Sequence, residues 1–174
     1  SNTAMPRLSA GQAIVESLRA EGVSYVFGVV GSAYLEVLDA MWGLKDIRFV
    51  GTRHEQGASF MALGYAQATG RPAVCIAQNG PGVTNLLTGV AAASLTHTPL
   101  VILAGAPMMG QMYRDSFQEL DQLSIFRPVT KAVLQVNRAE RIPEILRHAF
   151  RVATSGKMGP VLVDLPRDLL NERD

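Results

Sequence analysis

Short apolar runs, each closed by a turn and followed by a stretch of helical period, limit the folds open to this chain. They are residues 25–30 (YVFGVV), 48–50 (RFV), 73–77 (AVCIA), 100–104 (LVILA) and 161–165 (VLVDL). Runs of this length, rich in β-branched and aromatic residues, read as strands. Because they are predominantly apolar rather than alternating, both of their faces must be covered. Buried strands separated by helices are the mark of a parallel sheet with helices on either side. The expected fold class is therefore α/β, a doubly wound, mostly parallel sheet.

The helical segments carry their own start and stop signals. Ser9, with Gln12 three residues later, forms a capping-box start; Ala13, Ile14 and Leu18 give the stripe and Gly22 is placed to end it. Residues 34–42 put Val37, Leu38, Met41 and Trp42 on one side, and residues 141–154 are amphipathic. Residues 57–69 (GASFMALGYAQAT) are rich in small side chains and close at Gly70, so this helix can lie unusually close to a neighbour. Residues 83–95 continue as a helix of small and apolar residues. Residues 105–128 have no clear period, contain three Met and exceed most loops in length, which suggests a functional or interface loop.

Composition narrows the class. A chain of 174 residues with a net charge of +1 and scattered Lys and Arg lacks the electrostatic footprint of a nucleic-acid or polybasic membrane binder. A single cysteine, Cys75, supplies neither a disulfide framework nor a structural metal site. The longest nearly apolar run, residues 99–109, is interrupted by Gly105 and Pro107 and falls short of the ~20 residues of a membrane span. A reduced, cytoplasmic setting is expected. Residues 1–4 read as the remnant of an expression tag, leaving residues 5–174 as one domain.

In open parallel sheets ligands bind outside the carboxyl ends of the strands, so the strand-to-helix turns are the places to look. Gly80-Pro81-Gly82 before a helix suits either a phosphate cradle or a tight turn without a ligand. Asn85 stands where a dinucleotide fingerprint has its third glycine, no acid follows the next strand to hold a ribose, and no Walker-type loop is present. Glu55 follows a strand and precedes Gln56, Gly57 and Ala58, at the mouth of the sheet among residues that solvate it poorly. A carboxylate there is suited to sharing or donating a proton, or simply favours a positive helix N-terminus. His54 reads as a packing or hydrogen-bonding residue rather than a base, while His97 and His148 have no partner at a recognisable spacing. No metal-ligand cluster and no GxSxG nucleophile motif appear, and Cys75, in mid-strand, is expected to be inert.

Several longer motifs together carry a family resemblance. Residues 53–93 (RHEQGASFMALGYAQATGRPAVCIAQNGPGVTNLLTGVAAA), with DSFQELDQ at 115–122, KAVLQV at 131–136 and SGKMGPVLVDLPRDL at 155–169, resemble the N-terminal pyrimidine-binding domain of thiamine-diphosphate-dependent enzymes. The resemblance runs over residues 8–170 and is to the acetolactate synthase group, which includes sulfoacetaldehyde acetyltransferase, glyoxylate carboligase, oxalyl-CoA decarboxylase and benzaldehyde lyase. It implies a six-stranded sheet. It also implies that Glu55 is the family's glutamate, which bonds N1′ of the aminopyrimidine and promotes the tautomer that deprotonates C2 of the thiazolium. Pro81, Gly82 and Asn85 match the turn lying against the pyrimidine ring. Gly31-Ser32-Ala33 corresponds to the first active-site turn, and Phe117-Gln118 to a segment on the substrate side of a neighbouring site.

The same resemblance sets expectations about what lies elsewhere. The family's Gly-Asp-Gly and following Asn, which hold Mg²⁺ and the diphosphate, have no counterpart in this sequence, so a second domain is expected to supply them. Active sites in relatives form between subunits, implying a homodimer or homotetramer, with residues 57–70 and 83–95 as the packing surface. The chain alone is expected to be inactive. Some relatives bind FAD structurally, but no residue here argues for it. Gln78-Asn79 and residues 97–100 (HTPL) resemble the sulfoacetaldehyde acetyltransferase pattern, and Val30-Gly31-Ser32 departs from the Pro-Gly-Gly common in acetolactate synthases. The implied activity is a lyase or transferase making or breaking C–C bonds beside a carbonyl, on a 2-oxo acid or aldehyde. The alternative is a non-catalytic binding or regulatory subunit of the same fold.

Overall fold

The structure, a computed structural model, describes residues 7–171. The proposed tag remnant lies outside the described residues. In chain order the main elements are α1 (Ala10–Ala20), β1 (Tyr25–Gly28), α2 (Leu35–Met41), β2 (Arg48–Gly51), α3 (Glu55–Thr69), β3 (Ala73–Ala77), α4 (Pro81–Asn85), α5 (Leu87–Leu95), β4 (Leu100–Ala106), α6 (Gln122–Phe126), β5 (Ala132–Gln135), α7 (Ile142–Thr154), β6 (Val161–Pro166) and α8 (Arg167–Asn171). The strands form one six-stranded sheet, ordered β2-β1-β3-β4-β6-β5, with every pair parallel.

The period of two along each strand divides the core between the two faces. Val74 and Ile76 of β3, Val101 and Leu103 of β4, and Val161 and Val163 of β6 face the cluster built with α1, α2 and α7. Their neighbours Cys75, Ile102 and Leu162 face α3, α5 and α6. The register aligns Phe27, Cys75, Ile102, Leu162 and Val133 as one row across the sheet. Cys75 is fully buried there, and burial pushes its thiol up to about 12. That is an inert core thiol.

The capping box holds as expected: Ser9 Oγ accepts from the Gln12 N–H at 3.2 Å and Gln12 Oε1 accepts from the Ser9 N–H at 2.9 Å. Other boundaries shift for physical reasons. β1 ends at Gly28 and a 3₁₀ turn at Ser32–Tyr34 precedes α2. Trp42, expected on the packed side, caps α2 in an extended conformation and is 88% exposed. The helix expected over 83–95 is two helices, α4 and α5, because the Leu86 N–H turns back to the Val83 carbonyl at 3.0 Å and tightens the chain between them. The segment without a clear period contains α6, capped by Asp121, whose side chain accepts from the Ser124 N–H at 3.1 Å.

Candidate active site

From β1 the chain goes outward to β2, and then returns to the other side of β1 with β3. This reversal leaves a crevice at the carboxyl ends of β1 and β3, the usual place for a ligand in such sheets. The turns after β1, β2 and β3 meet there.

Glu55 is delivered by the turn after β2. The Thr52 N–H donates to the Gly28 carbonyl at 2.8 Å, tying this turn to the end of β1. His54 then caps α3 through Nδ1, which accepts from the Gln56 N–H at 3.0 Å, so Glu55 is the first helical residue. His54 is thus a structural hydrogen-bonding residue. Glu55 is half-buried rather than enclosed, and it stands in the first turn of α3, where the helix N-terminus favours a carboxylate.

The partner of Glu55 comes from the turn after β3. Asn85 Nδ2 donates to Glu55 Oε2 at 3.0 Å. Pro81 opens α4 at its exposed N-terminus, and Gly82 is buried behind it. A Cβ on Gly82 would stand 3.0 Å from Gln78 Cβ and 3.3 Å from Glu55 Oε1. A side chain at position 82 would therefore crowd the carboxylate, whereas glycine leaves its backbone open to close approach. The Gly80 N–H is taken by Gln122 Oε1 at 3.2 Å, so this turn does not present it to an anion. Behind Glu55, Tyr34 is fully buried and donates to the Val29 carbonyl; burial first, and the Glu55 charge second, push its phenol well above the usual range.

The remaining sequence-selected residues gather on the other side of Gln78. Gln78 Oε1 accepts from the Ala33 N–H at 2.9 Å, and a Cβ on Gly31 would stand 2.6 Å from that same oxygen. Ser32 is exposed beside them. Asn79 Nδ2 donates to the carbonyls of Phe117 at 3.1 Å and Gln118 at 3.2 Å. Gln78 Nε2 also reaches Gln118 Oε1 at 3.4 Å. The Phe117 ring itself is 81% exposed. Glu119 clasps this loop by accepting from the N–H groups of Tyr113, Arg114 at 3.3 Å and Ser116 at 2.9 Å, and these donors, Ser116 foremost, hold its carboxyl below the usual range. The clasp spans left-handed backbone at Tyr113, Asp115 and Gln118, with φ of 63°, 50° and 58°.

Glu55, Gly82 and Asn85 thus form one contact group, and Gly31, Ala33 and Gln118 a second, with Gln78 between them. Sequence reasoning missed Tyr34, Gln122 and Asp164. Asp164 had left a signal, a lone charge inside the apolar run 161–165, while its partners are distant in sequence. Among the described residues, no group of three or more His, Cys, Asp and Glu side chains is placed to hold a metal ion, and no helix is long and apolar enough to cross a membrane.

Comparison with known proteins bears on the same residues. Over 167 residues the chain is 45% identical to the acetolactate synthase large subunit of Haemophilus influenzae, covering 96% of this chain and 29% of that protein. It is 46% identical over 165 residues to the acetolactate synthase isozyme 2 large subunit of Escherichia coli K12, covering 93% and 29%. With the probable acetolactate synthase large subunit of Methanocaldococcus jannaschii it shares 43% over 162 residues, covering 93% and 27%. The chain spans less than a third of the length of these relatives. Residues 8–125, which include the turns after β1, β2 and β3, match the family described as thiamine pyrophosphate enzyme, N-terminal TPP binding domain, and to that family the chain belongs.

Proposed function

We propose that this chain is the pyrimidine-binding part of a thiamine-diphosphate-dependent lyase or transferase of the acetolactate synthase kind, one that makes or breaks C–C bonds beside a carbonyl. The observation that carries the reading is the half-buried Glu55 carboxylate, held by Asn85 at 3.0 Å and faced by a residue without a side chain, Gly82. These residues fit an aminopyrimidine: an acceptor for a ring proton, a donor that fixes it, and open backbone for a flat ring.

Glu55 would hold and return the proton at N1′, because Oε1 is the oxygen Asn85 leaves free. Asn85 would keep the carboxylate oriented, and Pro81 and Gly82 would lie against the ring. When bound, the cofactor supplies a nucleophilic carbon and an electron sink for the bond that breaks or forms. Gly31, Ser32, Ala33, Phe117 and Gln118 would border the 2-oxo acid or aldehyde. The diphosphate and Mg²⁺ belong to another domain, contributed in a homodimer or homotetramer by a neighbouring subunit. The exposed face of α3, with Phe60, Met61, Gly64 and Ala68, is a surface suited to that contact. The names of the relatives draw the reading towards acetolactate synthesis, whereas Gln78-Asn79 and Gly31-Ser32 depart from the pattern common in those enzymes.

Glu55→Gln tests the assignment in the protein that carries both domains. Gln keeps an oxygen for Asn85 but cannot exchange the proton, so turnover should fall by about 10²-fold or more with the unfolding midpoint unchanged. Near-normal turnover would refute the role of Glu55.

A further inference from the structure

Gln122, the first residue of α6, is 3% exposed. Both ends of its amide are engaged. Oε1 accepts from the Gly80 N–H at 3.2 Å, while Nε2 donates to the Gly105 carbonyl at 2.7 Å and to Asp164 Oδ1. Asp164 is also 3% exposed, and its other oxygen accepts from Gln135 Nε2 at 2.8 Å. One side chain therefore joins the ends of β4 and β6 to the turn after β3.

Gly80 is a point where such a tie has leverage. Its backbone lies at φ 69°, ψ −115°, and a Cβ there would stand 2.3 Å from the Gln118 carbonyl oxygen. Asn79, one residue earlier, is pinned separately by its bonds to the Phe117 and Gln118 carbonyls. Two residues later, Gly82 packs between Gln78 and Glu55, and Asn85 donates to Glu55. Because residues 81–85 form one short helix, a shift at Gly80 moves Gly82 and Asn85 together relative to α3.

We propose that Gln122 is a positioning residue: by holding the Gly80 N–H against the Asp164 and Gly105 anchor, it sets where Gly82 and Asn85 meet the Glu55 carboxylate. The geometry stands without any cofactor; its consequence for catalysis rests on the proposed function above.

Gln122→Met keeps the length and volume of the side chain and removes both hydrogen-bonding functions. Residue-resolved amide exchange by NMR on this chain should show Gly80 exchanging at least about tenfold faster, with Val101, Ile102 and Leu103 of β4 unchanged and the Asn85 side-chain amide resonances moved. Exchange that is unchanged at Gly80, or faster by the same factor in β4, overturns the proposal. If the stranded Asp164 charge unfolds this variant, Gln122→Met combined with Asp164→Asn carries the same test. In the protein carrying both domains, Gln122→Met should raise the thiamine diphosphate needed for half-maximal activity about tenfold. An unchanged requirement overturns the positioning role. A parent protein that does not respond to thiamine diphosphate at all refutes the cofactor reading and leaves the exchange result to judge Gln122.

Discussion

Asp164 occupies a place in β6 where the alternation calls for a hydrocarbon. It follows Leu162 on the α6 side of the sheet and pairs in register with Ala104 and Gln135. Ala77 and Ala104, its neighbours in that row, are small enough to let the Gln122 side chain reach it. The carboxyl has two amide donors and no cation among them, so burial outweighs the hydrogen bonds and pushes it up to about 6. Its value in the fold exceeds the unfolded one, so the folded state binds this proton more tightly. The associated stability is present below about pH 4 and is lost as pH rises through about 6, by about 3 kcal/mol at most. Asp164→Asn has no such proton to lose, and Gln135 can turn its amide to accept from the new NH₂. Urea unfolding at about pH 4.5 and about pH 7.5 should show the variant gaining on the parent at the higher pH. An equal difference at both values would mean that Asp164 is not the titrating group. The charge inside VLVDL was visible in the sequence, but its meaning was not, since Gln122 lies 42 residues away and only the fold joins them. The place of Glu55, after a strand and at the start of a helix of small residues, was legible because those are local facts, whereas the role proposed for it comes from the family resemblance.

Helix α3 shows what small residues do at the scale of an element. Its buried stripe is Ala58, Ser59, Ala62, Leu63 and Ala66, and α5 lies against it through Gly89. A Cβ on Gly89 would stand 2.1 Å from Ser59 Oγ and 2.6 Å from Ser59 Cβ, so these helices approach more closely than any side chain at 89 permits. The close approach expected from GASFMALGYAQAT is therefore made within the chain, between α3 and α5. Gly89→Ala gains up to about 1 kcal/mol in helix propensity and incurs overpacking of about 1–3 kcal/mol, for a net loss of about 1 kcal/mol. Adding Ser59→Gly moves the space to the other helix and should recover the packing loss. A double-mutant cycle by chemical denaturation checks this, and strictly additive effects would count against a direct contact. The other elements were legible to the extent that their signals were local: continuous apolar runs for the strands, Ser9 with Gln12 for α1. Where a boundary is decided by one backbone bond, as at Leu86, or by a cap on a five-residue helix, as at Asp121, periodicity had too few residues to register it.

At the scale of the whole molecule, one parallel sheet brings the turns after β1, β2 and β3 to a common edge, and the residues gathered there suit the uncharged, aromatic end of the proposed cofactor. The fold class followed from the apolar runs alone, yet a length typical of one domain says nothing about whether a site is whole, and this chain spans only 29% of the Haemophilus influenzae relative. Magnitudes show what that implies for binding. A hydrogen bond contributes about 0.5–1.5 kcal/mol net, and contact of a ring with Gly82 and Pro81 adds a few kcal/mol of apolar burial at most. Association costs an estimated 4–15 kcal/mol in lost translation and rotation at the 1 M standard state. The Glu55 edge by itself therefore cannot reach the roughly −8 kcal/mol of a micromolar complex. Isothermal titration of this chain with thiamine diphosphate and Mg²⁺ should give no saturable heat below about 1 mM. Tight, stoichiometric binding would instead place the diphosphate site within these residues and overturn the division of the cofactor between domains.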